Sequence, residues 1–159
     1  MIRLKDWHQN LDPVANIDEI QREIVEEFQV IGEDREQALE YLMEVGLLLD
    51  SYPEDARTEE HLIKGCQSKV WLNAELNDGK VGLWADSNTA ITKGLISLLL
   101  RVYNHMTPSQ IINSEPWFLK EIGMDNLIGS QRSNGLTSMI SEIKKISSIY
   151  QSLETSKNG

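Results

Sequence analysis

The chain contains one cysteine, Cys66, and the residues around it favour thiol chemistry. Gly65 precedes it, and glycine allows backbone angles that other residues avoid and leaves the approach to the sulfur open. Lys64 and Lys69 lie close in sequence, and nearby cations lower the pKa of a thiol and populate the nucleophilic thiolate. The alternative is a buried, inert cysteine, because free cysteines are often small core residues. The sequence therefore makes Cys66 a candidate nucleophile.

Other polar residues could take part in chemistry. His61 stands five residues before Cys66 and could act as a base for the thiol, although this spacing fixes no contact and an exposed histidine is the alternative. Carboxylates recur on one stripe of a predicted helix, at Glu36, Glu40 and Glu44. Without a histidine among them, a solvated helix face is favoured over a metal site. Arg132 lies in a polar segment, where a solvated or capping charge is the default interpretation.

Length, composition and charge restrict the class of protein. The 159 residues fit one domain with a single core, and an apolar share of 40% is typical of a globular chain. The net charge of −10 argues against nucleic acid, because phosphate binding favours a basic surface. Residues 1–60 carry 17 acidic against 5 basic residues, whereas residues 61–159 carry 8 against 10. The acidic half either steers a basic partner or solvates the outer faces of helices.

The sequence shows no signal for a membrane or for secretion. No run of about 18 apolar residues appears, and the N-terminus lacks the apolar region and cleavage site of a signal peptide. A single cysteine forms no internal disulfide, which fits a reducing compartment. It also cannot build a cysteine-rich zinc or iron–sulfur site alone. These observations predict a cytoplasmic protein.

Two acidic helices are predicted near the N-terminus. Residues 1–15 lack a strong period and are predicted to be a lead-in, followed by a domain over residues 16–153 and a frayed tail over 154–159. Asn16 is the expected cap of a helix that ends at Gly32. A second amphipathic helix is predicted from about residue 35 to residue 49, joined to the first by a short turn.

Alternating apolar residues predict a β-hairpin directly after the cysteine. Asp78 and Gly79 form a pair that is favoured in two-residue turns. Pairing across this turn places apolar residues opposite one another, namely Leu76 with Val81, Ala74 with Leu83, and Leu72 with Ala85. Trp71 and Trp84 lie on the other face. Two strands alone are marginally stable, so covering helices are needed.

Helices are predicted to follow the hairpin. The first runs roughly over residues 88–103, is capped by Ser87 and packs on the apolar hairpin face, where Gly94 permits close packing. Shorter helices are predicted from Thr107 and between Ser114 and Gly123. Residues 130–135 are predicted to be a polar turn that opens a final helix.

Four motifs in register resemble the SufE family of sulfur acceptors, which includes the related CsdE proteins. They are Gly65-Cys66-Gln67-Ser68 running into Val70-Trp71-Leu72, Ala85-Asp86-Ser87 leading to Lys93-Gly94-Leu95-Ile96, Thr107-Pro108, and Arg132-Ser133-Asn134-Gly135-Leu136. The resemblance covers about residues 20–147. The chain departs from the family at residues 128–131, where a Ser-Pro-containing turn is common in relatives, and residues 1–15 have no clear counterpart.

The resemblance implies an α+β fold, with a small antiparallel β-sheet flanked by helices, similar to the scaffold proteins of the IscU type. It also implies that the chain is not an enzyme but accepts sulfur from a cysteine desulfurase of the SufS or CsdA type. The chain would stimulate that desulfurase and deliver sulfur to an iron–sulfur scaffold complex. No metal or cofactor is implied for this chain, because pyridoxal phosphate belongs to the desulfurase.

The resemblance further implies roles for individual residues. Cys66 would carry the sulfur as a persulfide, formed by the logic of thiol–disulfide exchange. The other site residues would position the loop or the partner, namely Gly65, Gln67, Ser68, Asp86 and Arg132. Gly65 would be the hinge of a loop that shelters the cysteine at rest. Asp86 would help to hold the resting loop, and Arg132 would lie near it.

Two other functions remain open. A thiol hydrolase or peroxidase would use Cys66 as a nucleophile on small molecules and would need a base, for which the sequence offers only His61. A regulatory module would modulate a desulfurase without carrying sulfur. In that case Cys66→Ser would preserve the stimulation, whereas a carrier would lose it.

Overall fold

The computed structural model describes residues 16–158, with side chains up to Thr155. The predicted lead-in, residues 1–15, lies outside the described residues. The helices are α1 (Ile17–Ile31), α2 (Arg35–Gly46), α3 (Ala90–Tyr103), α4 (Pro108–Ile112), α5 (Phe118–Ile122), α6 (Met124–Ile128) and α7 (Ser130–Asn158). Two strands, β1 (Val70–Asn77) and β2 (Lys80–Ser87), form an antiparallel hairpin. The predicted α+β fold, a small antiparallel sheet flanked by helices, is confirmed.

The N-terminal helices begin at side-chain caps. The Asn16 carboxamide accepts a hydrogen bond from the Glu19 N–H at 2.9 Å, as predicted, and Asp34 caps α2 in the same way. Gly32 ends α1 with a φ of 81°. Helix α2 ends at Gly46, three residues before the predicted end, because the next amide groups turn back to carbonyls three residues earlier.

The hairpin has the predicted register. Leu76 pairs with Val81, Ala74 with Leu83, and Leu72 with Ala85. Asp78 and Gly79 both have positive φ angles, 52° and 76°, as a type I′ turn requires. Single bridges extend the sheet at both edges, where Leu62 pairs with Trp71 and Met106 pairs with Val81. The two-stranded hairpin is thereby supported by chain on each side.

Helix α3 forms the centre of the core. Its side chains are buried almost throughout, with Leu95, Ile96, Leu98 and Leu99 each 1% exposed. It begins at Ala90 after Thr89, so the predicted cap at Ser87 is wrong; the Ser87 hydroxyl instead accepts a bond from the Thr89 N–H. Close packing at Gly94 is confirmed, but the neighbour is α2 rather than the hairpin. A Cβ atom there would lie 2.7 Å from the Leu42 carbonyl carbon.

The C-terminal third departs from prediction at several points, most clearly at the start of its last helix. Helix α5 begins at Phe118 rather than near Ser114, and α6 was not predicted. The predicted helix start at Thr107 is confirmed and is stabilised by a capping box with Gln110. The predicted helix end at Gly123 is also confirmed, and this glycine has a left-handed backbone conformation. Residues 130–135 form the first turns of α7 rather than a polar turn. Gly129, with a φ of 87°, ends α6, and the polar side chains that follow lie on the exposed side of the new helix. The helix continues through Asn158, beyond the Leu153 boundary, and fraying of its end stays a prediction.

Across residues 16–158, none of the helices combines the length and the apolar character needed to cross a bilayer.

Candidate functional site

Cys66 lies on a short loop that is closed at its base. The Ile63 N–H donates to the Val70 carbonyl at 2.8 Å, and Leu62 pairs with Trp71. Residues 64–69 therefore form a loop between two paired positions. The predicted placement of the cysteine on a loop beside a strand is confirmed.

The thiol of Cys66 rests against helix α7. Cys66 is half-buried, and its Sγ atom donates a 3.5 Å hydrogen bond to the Gly135 carbonyl. Gly135 is buried, and a Cβ atom on it would lie 3.4 Å from Sγ. Because Gly135 has no side chain, there is room for the Cys66 side chain against this part of α7. The sequence motif contained Gly135, but no local pattern assigned it this role.

The electrostatic expectation for Cys66 is wrong in this resting geometry. Burial raises the pKa of the Cys66 thiol, because the thiolate loses solvation. Lys64 and Lys69 both lie exposed and do not offset this effect. The thiol thus holds its proton at neutral pH while the loop rests on α7.

The loop has an upstream limb before Cys66 and a downstream limb after it, and the two limbs are held differently. Gly65 has a φ of 93°, and a Cβ atom there would lie 2.7 Å from the Ser138 hydroxyl. On the other limb, Ser68 Oγ lies 2.9 Å from Thr89 Oγ1, and the Lys69 N–H donates to Asn88 Oδ1 at 3.0 Å. The downstream limb is therefore fixed to the start of α3 by polar bonds, whereas the upstream limb turns at a glycine.

A cleft of about 300 Å³ opens beside the thiol, and we call it the cysteine cleft. Its apolar walls come from Met43, Leu95 and Met139, and its polar rim includes Gln67, Ser68 and Arg132. Arg132 is exposed in the first turn of α7 and donates to the Ile128 carbonyl at 3.3 Å. The structure thus brings together four predicted site residues, Cys66, Gln67, Ser68 and Arg132.

Asp86 lies outside the cysteine cleft. One of its carboxylate oxygens accepts a 2.9 Å hydrogen bond from Arg57, and the other lies 3.7 Å from Lys93 Nζ. None of the bonds described for Asp86 reaches the cysteine loop, so no direct contact supports its predicted role in holding that loop. Arg57 is the residue that sequence analysis missed. Its only sequence signal was a basic residue in a connecting loop.

The alternative chemical groups are placed elsewhere. His61 Nδ1 lies 3.1 Å from the Thr58 hydroxyl, and His61 is not among the residues that line the cysteine cleft. Among the residues that the structure describes, no three histidine, cysteine, aspartate or glutamate side chains converge in a way that would hold a metal ion. Among the described residues that line the cysteine cleft, the ionisable side chains are one thiol and one guanidinium.

The fold and site define a small α+β domain that presents one thiol on a glycine-containing loop. A solved structure with the same fold is the solution structure of a hypothetical protein from Thermus thermophilus, at a TM-score of 0.70 and 18% sequence identity. The match covers 84% of this chain and 96% of that chain.

The family follows from the sequence. Residues 22–147 match the family described as "SufE: Fe-S metabolism associated domain". The chain belongs to the SufE family, and its role lies in iron–sulfur metabolism.

Proposed function

We propose that the protein accepts sulfur on Cys66 from a cysteine desulfurase and delivers it for iron–sulfur cluster assembly. The observation that carries the proposal is the position of Cys66, which sits on a loop that turns at Gly65, with its thiol against Gly135. Membership of the SufE family supports the same function. The chain would then be a sulfur-transfer partner and activator rather than an enzyme.

The transfer step needs one thiolate and no change in net oxidation state. The Cys66 thiolate attacks the terminal sulfur of a persulfide on the desulfurase, and a new bond forms between the two sulfurs. The sulfur–sulfur bond of the donor breaks, and its electron pair leaves on the donor cysteine as a thiolate. The proton of the terminal sulfur stays with the transferred atom. Cys66 then carries a persulfide and the donor is restored.

The resting geometry requires the loop to move before this step. Burial raises the pKa of the Cys66 thiol, so the thiolate is more populated once the loop leaves the cleft. Gly65 supplies the backbone freedom for this movement, and Gln67, exposed beside Cys66, would meet the partner. Pyridoxal phosphate belongs to the desulfurase, whose docking would favour the open loop. A free thiol persists in a reducing compartment, which supports the cytoplasm as the place of action.

Intact mass spectrometry tests the proposal. After incubation with a cysteine desulfurase and cysteine, we expect the protein to gain the mass of one sulfur, which dithiothreitol removes. Cys66→Ala should abolish the gain completely, because no other cysteine exists. Faster desulfurase turnover without added mass would point to a regulator instead. If neither the added mass nor the faster turnover is observed, both roles are contradicted and a small-molecule thiol enzyme is favoured.

Arg132 is proposed to position the loop or the partner rather than to transfer protons, because a guanidinium does not titrate near neutral pH. We expect Arg132→Ala to slow sulfur transfer about tenfold, measured as the rate of mass gain, since a partner contact of about 1.4 kcal/mol is lost. Arg132→Lys should restore part of the rate. If both sulfur transfer and desulfurase stimulation are unchanged in Arg132→Ala, the residue has no such role.

A further inference from the structure

Arg57 lies where three segments of the chain meet at the base of the cysteine loop. Its guanidinium carbon is 4.9 Å from the centroid of the Trp71 ring, and its Nη1 atom donates to Asp86 at 2.9 Å. Trp71 and Asp86 are directly opposite each other in the hairpin. The Arg57 side chain, 28% exposed, therefore links the segment before the loop to both strands.

The segment that carries Arg57 leads directly into the loop. Tyr52 is buried, its ring centroid lies 5.3 Å from the Arg57 guanidinium, and its hydroxyl donates to the Ala56 carbonyl at 3.1 Å. Five residues after Arg57, Leu62 pairs with Trp71. A stacked, charge-assisted contact thus fixes the chain just before the upstream limb.

We propose that Arg57 is a positioning residue that holds the cysteine loop in its resting place, and that Asp86 acts on the loop through Arg57. The inference rests on the proposed function, because a sulfur acceptor has to release this loop to meet its donor. Its test uses the protein alone, so it can fail while the sulfur-transfer result stands.

The contacts of the loop with α7 are too weak to decide its position by themselves. They consist of one 3.5 Å bond from sulfur to the Gly135 carbonyl and packing around two glycines. Thiols are weak donors, so such a bond contributes little. The Arg57 anchor at the base of the upstream limb, together with the polar bonds of the downstream limb, therefore limits how often Cys66 leaves the cleft. Without Arg57, the upstream limb keeps its strand pairing but loses the stacked cation and the ion pair.

Alkylation of Cys66 by iodoacetamide measures the open fraction of the loop. At pH 7.5 we expect Arg57→Ala to react roughly five- to tenfold faster than the native protein, because a charge-assisted hydrogen bond is lost. The pH midpoint of the reaction should also fall, since the open thiol is better solvated. The charged side chain that lines the cleft together with Cys66 is Arg132. Arg57→Lys should restore a slower rate in part. An unchanged rate and midpoint in Arg57→Ala would overturn the inference.

Two control variants separate positioning from general stability. Glu54, 83% exposed, pairs with Arg57 from the solvent side, so Glu54→Gln should react like the native protein. Glu27 pairs with the buried Arg101 between α1 and α3, so Glu27→Gln should lower the melting temperature without faster alkylation. If Glu27→Gln accelerates the reaction as much as Arg57→Ala, loss of stability explains the effect and the inference is wrong.

A double variant tests the role of Asp86. If Asp86 acts through Arg57, Arg57→Ala combined with Asp86→Asn should react no faster than Arg57→Ala alone. If the rate increases of the two single variants multiply in the double variant, Asp86 acts on the loop by a separate route. Sulfur mass gain in the same variants reports the proposed function independently of these rates.

Discussion

Replacing Gly135 by valine is expected to expel the Cys66 side chain from its resting place and to raise its alkylation rate at pH 7.5 about tenfold. The reason is space, because a Cβ atom at residue 135 already lies 3.4 Å from Sγ, and valine adds two methyl groups to it. Burial raises the pKa of the resting thiol, so the native pH profile should have its midpoint above that of a free thiol. In Gly135→Val the midpoint should fall back toward that of a free thiol, which raises the thiolate fraction at pH 7.5.

The series of variants at residue 135 provides its own control. Gly135→Ala adds one atom at ordinary contact distance and should shift the profile only slightly, while α7 gains helix propensity. Thr137→Val places the same side chain two residues away at an exposed position, and should leave the profile unchanged. The native protein in guanidinium chloride should show the ordinary midpoint. A native-like profile in a folded Gly135→Val protein would mean that α7 does not hold the thiol.

Replacing Gly94 by alanine is expected to destabilise the protein by about 3 kcal/mol or more, which is a large part of the stability of a small domain. A Cβ atom there would lie 2.7 Å from the carbonyl carbon and 2.8 Å from the Cγ atom of Leu42, so the backbone of α2 would have to move. The gain in helix propensity, about 1 kcal/mol, does not offset this overlap. Thermal unfolding should show a melting temperature lower by roughly 10 °C.

Gly82 supplies a matched glycine for this experiment. A Cβ atom at Gly82 would meet its nearest neighbours at 3.5 Å, which is ordinary contact, so Gly82→Ala should change the stability by less than about 1 kcal/mol. If Gly94→Ala is as stable as Gly82→Ala, the close approach of α2 and α3 is not required. Soluble Gly94→Ala protein that melts at a reduced temperature would agree with the prediction.

The elements that sequence analysis found are those with a local physical signature. Alternation and the Asp78–Gly79 turn specify the hairpin register, because a shift by one residue would turn every apolar side chain outward. Asn16 and Thr107 mark helix starts through bonds to amide groups three residues away. The start of α7 was missed because residues 130–134 are all polar and are followed by a glycine. Polarity there reflects an exposed helix face and not a turn.

The candidate site was predictable as a set of residues but not as an arrangement. The contact of Cys66 with Gly135 spans 69 residues, and that of Arg57 with Asp86 spans 29, so no local pattern could indicate either. The predicted direction of the cysteine pKa failed for the same reason. Lys64 and Lys69 are close in sequence, but burial is set by α7, which is distant in sequence.

Helix α7 suggests how the docking of a partner can be measured without blocking the thiol. It spans 29 residues, begins beside the cysteine cleft, and runs for about 43 Å at the usual rise of an α-helix. Near its far end, Gln151, Glu154 and Thr155 line a depression with the hairpin turn at Asp78–Lys80. A biotin attached at residue 155 would stand about 30 Å along the helix from Gly135. A chain immobilised on a sensor surface in this way would present the cysteine face to the solution.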